Sequence, residues 1–264
     1  NIINKPFEKK HKPLVSIITT FYKADQHLDN FMSNITQQTI FNDCELIVID
    51  AASPGEEQQI IEKYCERYNN IVYKRLDERL LPTPSVNIGL KQANSDFITF
   101  AWTDDIKRND CIETLYNELK DNNVSLTYGD VLITNKDNET FDNNSSNGQM
   151  FEHSKLSFSR ENMIKCLPGP MPLWSIDIHE QCGFFDDKDC NYADDWEMWL
   201  RAVSVGHRFK RVDETVGLVL SGGRSQQGHE EQRKEEAKIF YQYSHVFGQN
   251  FHKFKSYFSQ FLEK

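Results

Sequence analysis

Two pairs of adjacent carboxylates are the groups in this chain best placed to do chemistry: Asp104-Asp105 and Asp194-Asp195. The first pair ends the run Phe97-Ile98-Thr99-Phe100-Ala101-Trp102-Thr103, so a buried strand is expected to run straight into two negative charges. Ligands of open α/β sheets collect outside the carboxyl ends of the strands. Two acids there could hold a divalent cation, and the cation a diphosphate. The competing reading is that they begin a turn and cap a helix over residues 110–120. The second pair lies in Asn191-Tyr192-Ala193-Asp194-Asp195-Trp196-Glu197-Met198-Trp199-Leu200-Arg201, where Trp196, Trp199, Leu200 and Val203 recur at helical spacing. These acids therefore mark a helix start, whose free amides and dipole favour the ionised carboxylate that a general base needs. Here too, simple capping is the alternative.

The elements that must position these groups alternate along the chain. Residues 14–22 read as a buried strand leaving into a polar turn, and Leu28, Phe31, Met32 and Ile35 then mark a helix. Glu45-Leu46-Ile47-Val48-Ile49-Asp50 is a β-branched strand ending on an acid; Ala51-Ala52-Ser53-Pro54-Gly55 turns into a helix spaced by Ile60, Ile61 and Tyr64. Val72-Tyr73-Lys74 predicts a third strand, residues 86–93 a helix and 97–101 a fourth strand. Such alternation argues for βαβ units and a parallel sheet. No Gly-x-Gly-x-x-Gly follows the first strand, which disfavours a dinucleotide dehydrogenase.

Five segments, taken in order, resemble the inverting, GT-A-type glycosyltransferases of family 2. They are Val15-Ser16-Ile17-Ile18-Thr19-Thr20-Phe21-Tyr22; Glu45 to Asp50 with Ser53; Asn87-Ile88-Gly89-Leu90 with Ala93; Thr103-Asp104-Asp105; and the stretch from Ala193 to Arg201. The resemblance implies a GT-A-like α/β fold with a mostly parallel central sheet over residues 13–228. Residues 13–106 would bind the nucleotide sugar and 107–228 the acceptor, with a linker at 1–12 and a C-terminal helical extension at 229–264. It implies a UDP-, dTDP- or GDP-linked sugar donor and a glycan or lipid-linked hydroxyl acceptor, in surface polysaccharide or glycoconjugate synthesis. Thr20, Tyr22 and Asp50 would line the nucleoside, Asn87 and Asp104 would face the donor, and Asp105 would bind Mg²⁺ or Mn²⁺. Asp195 would be the base, with Asp194 and Trp196 beside the acceptor. The chain departs from the family pattern in three places. Trp102-Thr103-Asp104-Asp105 replaces Asp-x-Asp, Ala51-Ala52-Ser53-Pro54 replaces a Gly-Ser-Thr-Asp-like run, and Val86 precedes Asn87 where relatives often carry Arg.

Two loops add candidates. Leu167-Pro168-Gly169-Pro170-Met171-Pro172-Leu173-Trp174 is stiffened by proline, and the resemblance puts the flat face of Trp174 beside the acceptor; the alternative is a core tryptophan. Ser221-Gly222-Gly223-Arg224-Ser225-Gln226-Gln227-Gly228-His229 follows an expected strand at 216–220. In relatives this region folds over the diphosphate, so Arg224 could neutralise leaving-group charge and His229 could supply a metal nitrogen, against a plain surface role for the histidine. The run Asp186-Asp187-Lys188-Asp189 is not a calcium loop, since counting from Asp187 the sixth position is Tyr192 and the twelfth Met198. It reads as an acidic turn.

Composition narrows the classes. Thirty basic against forty acidic side chains give a charge of −10, which argues against nucleic acid as a partner. Six cysteines without a Cys-x-x-Cys pair fit free thiols in a reducing compartment. No apolar run reaches about 18 residues and no signal pattern opens the chain, so a cytoplasmic enzyme is expected, with the inner membrane face as an option. The chain starts at Asn1 rather than Met, so further domains of a longer polypeptide are also expected. Residues 135–148 read as an exposed loop. Past residue 229 a charged helical run leads to Phe251, Phe254, Phe258 and Phe261 at helical spacing, an aromatic face for this domain, a neighbouring domain or a membrane surface. Two other functional classes remain at this point. A sugar-nucleotide nucleotidyltransferase would need a Gly-rich basic loop that residues 20–23 lack, and a catalytically silent glycan-binding or scaffold module is the other.

Overall fold

The computed structural model describes residues 2–4, 11–223 and 229–262. Strand β1 (Ile2–Asn4) is followed by β2 (Ser16–Phe21), helix α1 (Asp25–Thr36), β3 (Glu45–Asp50), α2 (Glu57–Cys65), β4 (Ile71–Arg75), α3 (Pro82–Leu90) and β5 (Phe97–Phe100). Every residue of β2 and β3 is buried, as their β-branched, apolar runs require of strands covered on both faces. They pair in parallel from Ser16↔Glu45 to Phe21↔Asp50, and β2 also pairs in parallel with β5. The expected linker is corrected at Ile2–Asn4, which joins the sheet edge antiparallel to β4.

Helix α3 starts earlier than its apolar pattern predicts. Pro82 and Pro84 occupy its first turn, where no N–H donor is needed. It is buried on nearly all sides, and a Cβ on Gly89 would lie 2.7 Å from Ile18 Cγ2, so only glycine permits this close packing of helix on strand.

The second half begins with β6 (Ile106–Lys107), α4 (Cys111–Asp121), β7 (Leu126–Thr134), β8 (Leu173–Ser175), α5 (Asp177–Cys182), α6 (Asp194–Ser204) and β9 (Phe209–Leu220). Among the described residues all nine strands form one sheet, in the order β1-β4-β3-β2-β5-β8-β7-β9-β6. Its parallel block β4-β3-β2-β5 continues through antiparallel β8 into β7. Both halves are therefore built on a single surface.

The chain ends in α7 (Glu230–Gln242) and α8 (Gln249–Ser259). Phe240 stacks on Phe258 with ring centroids 4.2 Å apart, and on Phe247 and Phe251 at 5.3 and 5.0 Å. Trp196 of α6 stacks on Phe247 and Phe258 in turn. The aromatic stripe thus covers this domain's own core, and residues 229–262 are part of its packing.

Candidate active site

Both carboxylate pairs line one cleft of about 770 Å³, with Trp102 on the first wall and Cys166, Trp196, Tyr257 and Phe258 on the second. Asp104 and Asp105 follow β5 and are separated from α4 by β6, and Asp110 stands at the cap position of α4. The first pair is therefore not a helix cap. Asp104 is exposed, whereas Asp105 is only 7% exposed. Burial, reinforced by the charge of Asp104, raises the Asp105 carboxyl well above the usual range, against Lys107 and a backbone hydrogen bond from Leu220.

The second pair occupies the first turn of α6, with Ala193 as its cap residue. The turn leading into the helix is held by Glu235 of α7, whose carboxylate accepts N–H bonds from Asn191, Tyr192 and Ala193 at 2.8, 2.8 and 2.7 Å. Asp194 and Asp195 both line the cleft. Asp195 Oδ1 accepts the Trp196 N–H at 2.7 Å and Oδ2 the Cys166 thiol at 3.5 Å; Asp194 Oδ2 accepts the Thr83 hydroxyl at 2.9 Å. Burial raises both carboxyls, and the charge of Asp195 helps to bring Asp194 to about 7.

Thr20, Tyr22 and Asp50 sit at the ends of β2 and β3 but do not line the cleft itself. Thr20 is 8% exposed, and half-buried Tyr22 lies beneath the Arg79 guanidinium, 4.2 Å from its ring centre. Asp50 needs correction. It is fully buried, accepting the Ser53 N–H, the Tyr73 hydroxyl and Arg75 Nη1 at 2.8, 2.8 and 2.7 Å, so its carboxylate is consumed inside the protein. The group its position presents is Arg75, 30% exposed. Asn87 is likewise corrected: its amide holds the Phe185 backbone at both ends and the Asp187 carboxylate, clamping α3 to the loop before α6.

Trp174 is the clearest reversal. It is fully buried between Phe100, Phe185 and Trp199, and its Nε1–H donates to Nε2 of His179 at 3.0 Å. Burial lowers His179 to about 4, so the ring is a neutral acceptor and the pair belongs to the core. Trp196 lines the cleft but is only 6% exposed, with its Nε1–H given to Met163 O; the exposed ring at the cleft is Tyr257. Arg224 lies outside the described residues. His229 stands at the start of α7 against the Tyr192 ring. Among the described residues no three His, Cys, Asp or Glu side chains form a metal-binding group, so His229 completes no set with the first acid pair.

The match to known proteins follows this geometry. Residues 16–183 match the model of Glycosyl transferase family 2, from β2 to the end of α5. The chain belongs to this family. The family 2 chain is 34% identical over 124 residues to an uncharacterized glycosyltransferase of Haemophilus influenzae, a match covering 44% of the chain and 46% of the relative. It is 32% identical over 120 residues to the poly(ribitol-phosphate) beta-N-acetylglucosaminyltransferase TarP of Staphylococcus aureus, covering 44% and 36%. The matches thus span less than half the length of these two relatives. Its fold superposes on S. aureus TarS 1-349 in complex with UDP-GlcNAc with a TM-score of 0.69 at 16% identity, over 92% of the chain and 72% of that structure. The likeness establishes a GT-A-type mixed α/β fold. No helix among the described residues is long and apolar enough to cross a membrane.

Sequence reasoning missed Glu235, Glu236, Cys166 and Tyr257. The two glutamates lie in a charged run that reads as a solvated face, and only tertiary packing shows that α7 turns them toward α6 and the cleft.

Proposed function

We propose that the chain transfers a sugar from a nucleoside-diphosphate donor to a hydroxyl acceptor with inversion at the anomeric carbon. The observation that carries this reading is the single cleft with one acid pair at the end of β5 and another at the start of α6. The donor nucleotide occupies the ends of β2 and β3 beside Thr20, Tyr22, Arg75 and Arg79, with the sugar reaching past Trp102 toward Asp195. Asp195 takes the proton of the acceptor hydroxyl, the freed oxygen forms the new bond to the anomeric carbon, and the bond to the diphosphate breaks on the opposite face. Asp194 stands beside the base and anchors α6 to Thr83. The family match and the bound UDP-GlcNAc of the TarS structure support a nucleotide-sugar donor, and the TarP name supports a role in surface-polymer synthesis.

The first acid pair fits Mg²⁺ or Mn²⁺. Both are hard oxygen donors, and a divalent ion would offset the burial and the neighbouring charge of Asp104 that together raise Asp105. Such an ion, when bound, neutralises the departing diphosphate. Asp104 and Asp105 are the residues that would hold it. A screen of UDP-, dTDP- and GDP-linked sugars with a hydrolysis readout tests the reading. Chelator is expected to abolish turnover of the accepted donor. Asp105→Ala should lower it about a hundredfold or more, since several kcal/mol of charge stabilisation are lost, and Asp104→Ala less. Full turnover in chelator removes the ion from this scheme.

The base must be deprotonated, and its pair titrates high. The rate is therefore expected to climb as pH rises above the ordinary carboxylate range. On the acid side of that rise it should fall about tenfold per pH unit. Asp194→Asn removes the neighbouring charge and should move this limb to lower pH. The measurement is kcat/KM against pH for both proteins, and coincident profiles would count against the pairing.

A further inference from the structure

We propose that the acceptor taken by this cleft is a sugar carrying no negative charge, and that phosphate- or carboxylate-bearing acceptors are rejected. The inference rests on the transferase reading above. It begins from the charge of the cleft lining: Asp104, Asp105, Glu152, Asp194, Asp195 and Glu236, against Lys165 as the one cation among the described lining residues. Lys165 offsets only Glu152, whose Oε2 lies 2.9 Å from its Nζ, and the other five acids face no further cation among the described lining residues.

The acids divide by position. Asp104 and Asp105 serve the donor side, where a cation is the natural counterpart. On the other wall stand Asp194, Asp195, Glu152 and Glu236, the last contributed by α7 and fixed by the Gln232 amide at 2.9 Å. Glu236 lies close enough to feel the charges of Glu152, Glu235 and Asp195, and its carboxyl is raised by burial and by all three. These closely set, partly desolvated carboxyls already disfavour one another's negative charge, and a further anion brought to the wall would meet the same cost, poorly screened by solvent.

The same wall suits a neutral sugar. Carboxylates accept hydroxyl hydrogens, and Tyr257, 51% exposed, offers a ring beside Phe258 on which the C–H face of a sugar can lie. Phe151 and Ile164 extend the apolar part of the lining. The chain's overall charge of −10 adds to the field against polyanions. A polyol-phosphate chain, of the kind in the name of the S. aureus relative, would oppose this wall at each repeat.

Saturation-transfer NMR on the full chain tests the proposal without requiring a donor. The probes are paired methyl glycosides: glucoside, galactoside and mannoside, each against its uronate and 6-phosphate. At least one neutral glycoside is expected to bind about tenfold or more tightly than its charged partners. Glu236→Gln and the exposed Glu152→Lys, each checked by its melting curve, should narrow that ratio severalfold. Equal or tighter binding of the anionic partners overturns the proposal, as does an unchanged ratio in both folded variants or no binding of any neutral glycoside. A negative donor screen with a preserved neutral preference would instead overturn the transferase reading and leave a binding cleft.

Discussion

Asp195→Asn is expected to lower sugar transfer about a thousandfold while leaving nucleotide binding within about twofold of the parent, because loss of a general base acts on the chemical step. The substitution is nearly isosteric, and an amide oxygen still accepts the Trp196 N–H that holds the carboxylate. It also removes a charge that burial disfavours, so the melting temperature should stay level or rise. The sign follows from linkage: a carboxyl whose folded pKa is raised stabilises the fold at low pH and loses that contribution as pH rises through the folded value. Turnover at saturating donor and acceptor, with nucleotide affinity by calorimetry, separates the two effects. Near-parental turnover would show that another group takes the proton. Asp194→Asn, which leaves the base in place, should cost much less.

The second large effect concerns folding. Deleting residues 229–264 is expected to yield an aggregating chain, since it removes Phe247 and Phe258 from Trp196, with Phe240 stacked behind them, and takes Glu235 from the amides before α6. Phe240→Ala isolates the packing part. Its ring is fully buried, and such a truncation costs about 3–5 kcal/mol, or a melting temperature lower by about 10 °C in a chain of this size. Thermal denaturation followed by circular dichroism measures this. A deletion chain with unchanged melting and solubility would show that the terminal helices are an appendage.

Much of the frame was legible because single strands announce themselves when buried on both faces. The six residues of β3 coincide with the run from Glu45 to Asp50, and the four apolar residues expected on the first helix are the buried ones of α1. β7 left no such mark, since Gly129 and Asp130 interrupt it like a turn. In the fold each has a reason: a Cβ on Gly129 would lie 2.6 Å from Val216 Cγ1, and Asp130 is paired with Arg211 on β9 at 2.7 Å. β6 and β8 are too short to show periodicity, and the register that places them is set by their partners. The acid pairs stood out because apolar segments lead to or follow them, and the fold brings both to one cleft. Trp174 and Asp50 were misread for a common reason: sequence gives residue type but not which face of the sheet, or which buried partner, will claim the side chain.

The continuity of the sheet from β4 to β9, with the terminal helices laid against α6, has an evolutionary consequence. The strand ends assigned to the nucleotide are encoded before residue 106, whereas the acceptor rim draws on residues 151–170 and on the last thirty or so of the chain. Under the proposed function, recombining the tail is therefore expected to change the acceptor while leaving the nucleotide end as it is. Such exchange is bounded by two demands on the incoming segment: an acid to hold the turn before α6, and an aromatic face to meet Trp196. Tail swaps between relatives that keep Glu235 and Phe240 are thus the chimeras from which folded enzymes with new acceptors should be recovered.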